Sequence, residues 1–487
     1  MITEDLQKFS WDGSYIMNRI NQTNQYMFEE LVKQIMRQSG AAGIAVAVVD
    51  SDGNTAYENY FGYRDAEKEL PIDQDTIFGV ASVTKSFVAL SVMQLCERGL
   101  MDLDDPVSKY IPEFTNKNQK TVRIRHFLNH SAGFFPVKRL LLKNMAEQLG
   151  FSEEKDGDLA FIKELADAGV KAVAEQLDAQ TAGNGLIGDP GQYMSYCNDG
   201  FGLLSAAVTR ASKEPSFSDY VRKNILEPLG MSRSGCEYMR PRLDGNSSVL
   251  YRKQNGVRTG TKDHYNTGFV LSGAGAMRST ISDMKKILYM YLNGGKTPTG
   301  DRILSWEGIR TMCRPSIEYR PESWYCMGLA TKKLDDLTVV EHGGSQIGVS
   351  SNLSWSYDAG AGVIVLCNTS NVPVSAIADG AMRMFHGRNP LDNRRDYEDN
   401  PWSEKTVKAA VGRYISGEDA DADVEIYEEN GKVCVRADGK IQPFIMVQEN
   451  LGLIRGFAKD AYLKLFKDGD GNVFAIGFGG RMLPRRR

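Results

Sequence analysis

The hydrophobic pattern of this chain switches between a period near 3.6 and a period of two, and the order of the switches limits its fold. Ile16, Met17, Ile20, Met27, Phe28, Leu31, Val32 and Ile35 give residues 16–39 a helical face. Gly43 to Val49 is small and aliphatic and reads as a strand; Ser51-Asp-Gly-Asn54 turns it, and Thr55 to Phe61 returns. A helix-rich stretch then runs from Ser82 to about Leu229. Strands reappear at Thr338 to Glu341, at Asn352 to Tyr357 and, through Asp358-Ala-Gly-Ala-Gly362, at Val363 to Cys367; Pro373 to His386 reads as a helix. The pattern predicts an α/β fold of the α+β kind. One antiparallel sheet is closed by both ends of this region and flanked by helices, beside an all-helical half with a cleft between them.

Gly387 to Pro401 is polar and carries Pro390 and Pro401, which marks a boundary. Residues 1–392 are therefore expected to form the catalytic domain, with 135–188 as a helical insertion and candidate lid. Leu159, Ile162, Leu165, Val170, Val173 and Leu177 would lie on one face of its second helix. Residues 393–487 are expected to form a small antiparallel β domain, barrel or curved sheet. Asn430-Gly431 gives that domain a hairpin signal. Asp468-Gly-Asp-Gly-Asn472 opens like a calcium loop, but Val473 stands where that loop needs Gly, so a plain turn is expected. The domain carries no nucleophile–base set and is expected to shape access to the site without supplying a catalytic group.

Ser82, Lys85, Tyr196, Asn198 and His342 supply the chemistry that such a cleft would need. A serine hydroxyl requires a base within hydrogen-bond reach. Ser82 opens a Pro-free apolar stretch that Gly99 can end, and Lys85 follows one helical turn later on the same face. Lys85 could act as an amine made neutral by burial, or Tyr196 as a phenolate; the residues leave both open. Other S-x-x-K phrases, Ser152-Glu-Glu-Lys155 and Ser282-Asp-Met-Lys285, lie in charged surroundings and read as caps or surface pairs. His126-Phe-Leu-Asn-His130 lacks the Glu of a metalloprotease helix and reads as a loop or cap. No G-x-S-x-G and no Walker A loop occurs, and neither metal nor cofactor is expected.

Together these phrases resemble the serine β-lactamase-related superfamily: class C β-lactamases, D,D-carboxypeptidases, S12 D-aminopeptidases and esterases. The likeness runs from about Gly43 to about Gly387 and includes Leu103-Asp-Asp-Pro-Val-Ser-Lys-Tyr-Ile-Pro112, Phe127-Leu-Asn-His-Ser-Ala-Gly133 and Asp189-Pro-Gly-Gln-Tyr-Met-Ser-Tyr-Cys-Asn198. It also takes in Ser272-Gly-Ala-Gly-Ala-Met-Arg-Ser-Thr280. The resemblance implies Ser82 as nucleophile and Lys85 and Tyr196 as the proton-handling pair. It implies substrate contacts at Asn198, His342, Gly344 and Ser345, with the backbone N–H groups of Ser82 and Ser345 as oxyanion hole. The β domain looks like the lipocalin-like appendages of some S12 peptidases. Where class C relatives carry Lys-Thr-Gly, this chain has His342-Gly-Gly344, so a cation for a substrate carboxylate is missing unless an arginine replaces it.

The expected activity is a serine hydrolase working through a Ser82 acyl-enzyme, an S12-type peptidase on short peptides that could include D-residues. A carboxylesterase, acyltransferase or β-lactamase is the alternative, and an inactive sensor of the same fold is a reading of another class. The net charge of −4 gives no general attraction to nucleic acid or anionic lipid, so the expected partner is a small molecule or short peptide. No apolar run has the length of a membrane helix. The first residues lack the basic and apolar regions of a secretory signal, and the seven cysteines include no C-x-x-C pair, so a cytoplasmic setting is expected. Arg485-Arg-Arg487 reads as a solvated tail.

Overall fold

The computed structural model describes residues 20–115, 121–181, 185–254, 257–266, 268–392, 396–418, 423–437, 439–456 and 458–486. Helix α1 spans Gln22–Ser39; residues 16–19 of the expected helix lie outside the described residues. Its start is set by a cap. Asn21 accepts from the Asn24 N–H, and Asn24 accepts from the Asn21 N–H. Gly40, at φ 73°, ends it in the left-handed conformation.

Nine strands form the main sheet: β1 (Gly43–Asp50), β2 (Thr55–Asp65), β3 (Leu70–Pro71), β4 (Ile317–Arg320), β5 (Ser323–Tyr325), β6 (Ala330–Leu334), β7 (Leu337–Gln346), β8 (Val349–Ser356) and β9 (Ala361–Cys367). Their order is β3-β2-β1-β9-β8-β7-β6-β5-β4. β1 pairs antiparallel with β9, Ile44 opposite Cys367 and Asp50 opposite Ala361, so early and late strands of this region close the sheet as expected.

Alternation divides the core. Ile44, Val46, Val48, Val363 and Val365 point to one face, where Phe28 and Val32 of α1 meet Ile377 and Phe385. Ala45, Ala47, Ile364 and Leu366 point to the other and join the helical half. That half includes α2 (Thr84–Glu97), α3 (Lys163–Thr181), α4 (Asn198–Ser212) and α5 (Ile281–Leu292). Helix α6 (Val374–Phe385) covers the α1 face of the sheet. α2 is buried nearly all round, from Thr84 to Leu95, which is why its pattern reads as a continuous apolar run.

Within 135–188, α3 buries Leu165, Val170, Val173 and Leu177, four of the residues expected on its inner face. None of the described residues of this segment lines the Ser82 cleft described below. Phe135 and Ile187 instead pack against Phe474, Ala475 and Met482 of the C-terminal region, and Gln180 bonds the Phe135 backbone.

After Pro401 the chain forms a four-stranded antiparallel sheet from Gly412–Ile415 to Lys440–Gln442 and a five-stranded one from Phe444–Gln448 to Arg481–Pro484. A bridge between Tyr414 and Arg485 joins the first strand to the last, giving an up-and-down meander that closes on itself. Its interior is filled by Trp402, Tyr414, Ile426, Val435, Leu463, Leu465, Ile476 and Leu483. Asn430 and Gly431, both with positive φ, make the expected hairpin turn. Asp468 accepts from the Asp470 and Asn472 N–H groups, the hydrogen bonding of a plain turn. Arg485 is no solvated tail: its guanidinium binds the carbonyls of Ala409 and Val411 and ties the seam. Among the described residues no helix is long and apolar enough to cross a membrane.

Candidate active site

A cleft of about 950 Å³ lies between the helical half, the open end of β7 and the C-terminal strands. Ser82, Tyr196, His342, Gly344 and Ser345 line it, together with Arg320, Lys459 and Arg481. Ser82 sits in a single 3-10 turn, Ala81–Val83, just before α2. The turn is held from several sides. Val80 donates to the Met277 carbonyl and accepts from the Ser351 hydroxyl, while Thr84 donates to the Ala81 carbonyl. Ala81 itself has φ 46°, a left-handed conformation costing about 1–3 kcal/mol in a non-glycine residue. Such strain persists where surrounding contacts over-determine it, and here it aims the next residue into the cleft.

Lys85 is fully buried, with Nζ 3.0 Å from Ser82 Oγ, 2.9 Å from Asn198 Oδ1 and 2.7 Å from the Ala274 carbonyl. Burial first, and then the charge of Arg481, hold its amine well below the usual lysine range; Glu418 opposes the shift. A neutral amine has two N–H donors and one lone pair. Asn198 Oδ1 and the Ala274 carbonyl take the two donors, so the lone pair is left for the Ser82 hydroxyl. The carbonyl of Ala274 reaches Lys85 because Gly273 passes close to α4: a Cβ there would lie 2.4 Å from the Phe201 carbonyl.

Tyr196 is placed by three neighbours. The His130 ring packs against it in a tilted arrangement, centroids 4.1 Å apart, Lys85 Nζ lies 4.9 Å from the ring centre, and the Arg481 guanidinium lies 5.1 Å from it. Burial pushes its phenol above the ordinary range; its interaction with Ser82 and the Arg481 charge pull the other way. Burial thus favours the neutral form of both groups, the phenol at Tyr196 and the amine at Lys85.

The resemblance assigns Asn198 and His342 to the substrate, and the structure gives both of them protein partners. Asn198 is buried and does not line the cleft: Oδ1 accepts from Lys85 and Nδ2 donates to Glu418 Oε1 at 3.3 Å. His342 lines the cleft, but Nδ1–H donates to the Gly343 carbonyl at 2.7 Å and Nε2 accepts from the Tyr325 hydroxyl at 2.8 Å. Burial lowers its pKa to about 3, so it carries no charge near neutrality. Gly344 fits because it runs against the nucleophile turn, where a Cβ would lie 2.2 Å from the Val80 carbonyl. The pairing of β7 with β6 ends at Glu341 opposite Ala330, which leaves Gly343 to Gln346 as a free edge on that side, along the cleft.

Three residues of the site were absent from the sequence-based set. His130, at φ 57°, accepts from the Cys197 N–H through Nδ1, and its carbonyl accepts from the Ser195 N–H. Its phrase was visible and its role was not. His126 caps the turn before it by accepting from the Arg123 N–H. Glu418 and Arg481 come from the C-terminal meander, which was expected to shape access to the site without supplying a catalytic group. Glu418 is buried and takes Asn198 Nδ2 on one oxygen and Arg481 Nε, at 2.6 Å, on the other. The same strand end is stitched to the Tyr196 segment: Tyr196 N–H donates to the Gly480 carbonyl and Met482 N–H to the Ser195 hydroxyl. An unbroken path thus runs from Ser82 through Lys85, Asn198 and Glu418 to Arg481.

The family model described as Beta-lactamase matches residues 28–384. Esterase EstB of Burkholderia gladioli is 27% identical over 411 residues, 78% of this chain and 97% of the esterase. A protein named Beta-lactamase from Yersinia enterocolitica is 24% identical over 267 residues, 55% of this chain and 59% of that protein, so the chain spans less than two thirds of that relative. Among solved structures, the octameric penicillin-binding protein homologue from Pyrococcus abyssi superposes with a TM-score of 0.65 at 25% identity, covering 94% of this chain and 99% of that one.

Proposed function

Because the chain belongs to the Beta-lactamase family, a family of serine hydrolases, we propose that it transfers acyl groups through an ester of Ser82, cleaving amide bonds of short peptides. The observation that carries this reading is the Lys85 amine, buried without a carboxylate partner of its own and with its lone pair free for Ser82 Oγ. The hydroxyl proton moves to Lys85 as Oγ attacks the carbonyl. The N–H groups of Ser82 and Ser345 would face the oxyanion. Tyr196 gives its proton to the leaving amine and regains one from the Lys85 ammonium. Water then repeats the sequence in reverse, releasing the acid and restoring Ser82.

The substrate class follows from the cation. His342 is neutral and has no free nitrogen, whereas Arg481 lines the cleft beside Tyr196 with one edge spent on Glu418. Arg481 is thus the group to contact a carboxylate on the peptide, in place of the lysine that class C relatives carry on the strand. Ester hydrolysis is the second reading, supported by the likeness to EstB over nearly its whole length. A sensor without turnover is disfavoured by the intact Ser82–Lys85 contact. A fluorophosphonate probe should label Ser82, and Ser82→Ala should abolish both labelling and turnover at unchanged melting temperature. Screening against nitrophenyl esters, D- and L-aminoacyl nitroanilides and nitrocefin should give the largest kcat/KM on an aminoacyl anilide. Turnover by Ser82→Ala near the wild-type rate would refute the mechanism.

A further inference from the structure

One end of the cleft is basic and takes no part in the mechanism above. Arg320 of β4 and Lys459 of the C-terminal meander both line it. Behind them lies a buried ionic group: Lys332 Nζ is 2.8 Å from Glu341 Oε2 and 2.6 Å from Asp379 Oδ1. Counting Arg320, Lys332 and Lys459 against Glu341 and Asp379 leaves one positive charge uncompensated. The other acids on the wall do not supply the balance. Asp460 is bound to Arg455, and Glu318 is exposed to water. Among the described residues Lys459 has no carboxylate within bonding distance; it donates to the Ser375 hydroxyl at 3.0 Å. Burial, then Arg320 and Lys332, lower its pKa to about 8, while Glu341 and Asp379 oppose the shift. Arg320 spends one edge on the Tyr319 hydroxyl, and its Nε–H is buried without a partner. Val372 to Ser375, at the start of α6, line the same cleft, and no side chain caps that helix.

We propose that Arg320 and Lys459 form an anion subsite, which takes a carboxylate or phosphate group borne by the substrate away from the reacting bond. The inference rests on the reading that substrates occupy the Ser82 cleft. Lys464 and Lys467 also line the cleft, and Arg481 beside Tyr196 gives it a cationic position separate from the Arg320–Lys459 pair. A molecule bearing acidic groups at both ends would bridge them, whereas one bearing a single acid would use one.

The test is binding, so that it does not depend on turnover. Titration calorimetry on the Ser82→Ala protein would compare α,ω-dicarboxylates of increasing length with their monomethyl esters, and with ω-phosphonocarboxylates. One chain length should bind about tenfold tighter as the diacid than as the monoester, the scale of one charge-assisted contact. Lys459→Met should remove that advantage, Lys459→Arg should retain it, and Arg320→Gln should repeat the loss if the Met variant fails to fold. A larger gain from the phosphono series would identify a phosphate ligand, and a larger gain from the diacids a carboxylate. Equal binding of diacid and monoester at every length, or an advantage that survives both the Lys459 and Arg320 substitutions, would overturn the subsite. The role of Ser82 is decided separately, by probe labelling of the wild-type protein.

Discussion

Lys85 and Lys332 are both buried lysines, and the protein has made opposite groups of them. Lys332 lies between Glu341 and Asp379, whose charges outweigh desolvation and push its pKa above the ordinary range. Among the described residues Lys85 meets a hydroxyl, an amide oxygen and a backbone carbonyl but no carboxylate, and desolvation wins. Even the carboxyl nearby, Asp199, is pushed up to about 7, by burial first and then by Glu418. Burial sets the cost of a charge; the partners decide whether it is met. One lysine is held as a buried cation and the other is pushed toward its neutral amine.

Four substitutions would break or sharpen that contrast. The largest effect is expected at the structural lysine. Lys332→Met strands Glu341 and Asp379 in the interior and should cost about 3–5 kcal/mol of stability, read from urea or thermal unfolding. A loss below about 1 kcal/mol would mean that water reaches the pair. Asp199→Asn should act with the opposite sign and with a pH signature. The folded pKa of Asp199 lies above its unfolded value, so wild type loses stability as pH rises from about 4 to about 7, and the variant escapes the loss. Its advantage should grow to about 4 kcal/mol across that window and then level off; a flat difference between the two proteins would exclude an Asp199 titration.

Lys85→Met should lower kcat by about a hundredfold and cost clearly less stability than Lys332→Met, because it strands two neutral acceptors, Asn198 Oδ1 and the Ala274 carbonyl, and no buried charge. A fall in stability like that of Lys332→Met would show that Lys85 is charged in the resting enzyme. Glu418→Gln is the subtlest. Its carboxylate raises the Lys85 pKa, and the active amine is the deprotonated form, so losing the charge should move the acid limb of kcat/KM to lower pH. A fall in kcat of about tenfold should accompany the shift, since an amide no longer forces Asn198 to present Oδ1 to Lys85. An unmoved acid limb would leave Glu418 with a purely structural part.

What the sequence disclosed follows the range of the forces involved. Ser82 and Lys85 are one turn apart, so helical periodicity alone brings them together. β1, β8, β9 and α6 were visible because alternation or a 3.6 period runs through them. β4 and β5 were missed, since Ile317–Arg320 is half exposed and shows no alternation. The left-handed Ala81 was hidden as well, because its conformation is imposed by Val80, Thr84 and Ser351 and not by its own side chain. Glu418 and Arg481 were beyond local reasoning altogether. Nothing near either residue in the chain signals Asn198 or Tyr196, and only the closure of the meander against the Ser195–Tyr196 segment delivers them.

That closure also has a temporal meaning. A ribosome makes Ser82, Lys85 and Asn198 well before it makes Glu418 and Arg481. Until those two arrive, the Asn198 amide is free to turn either edge toward Lys85, and the base has no fixed acceptor on that side. The nucleophile turn and its helix can fold while the growing chain is still attached, but the orientation of the base waits for the strand that carries Arg481.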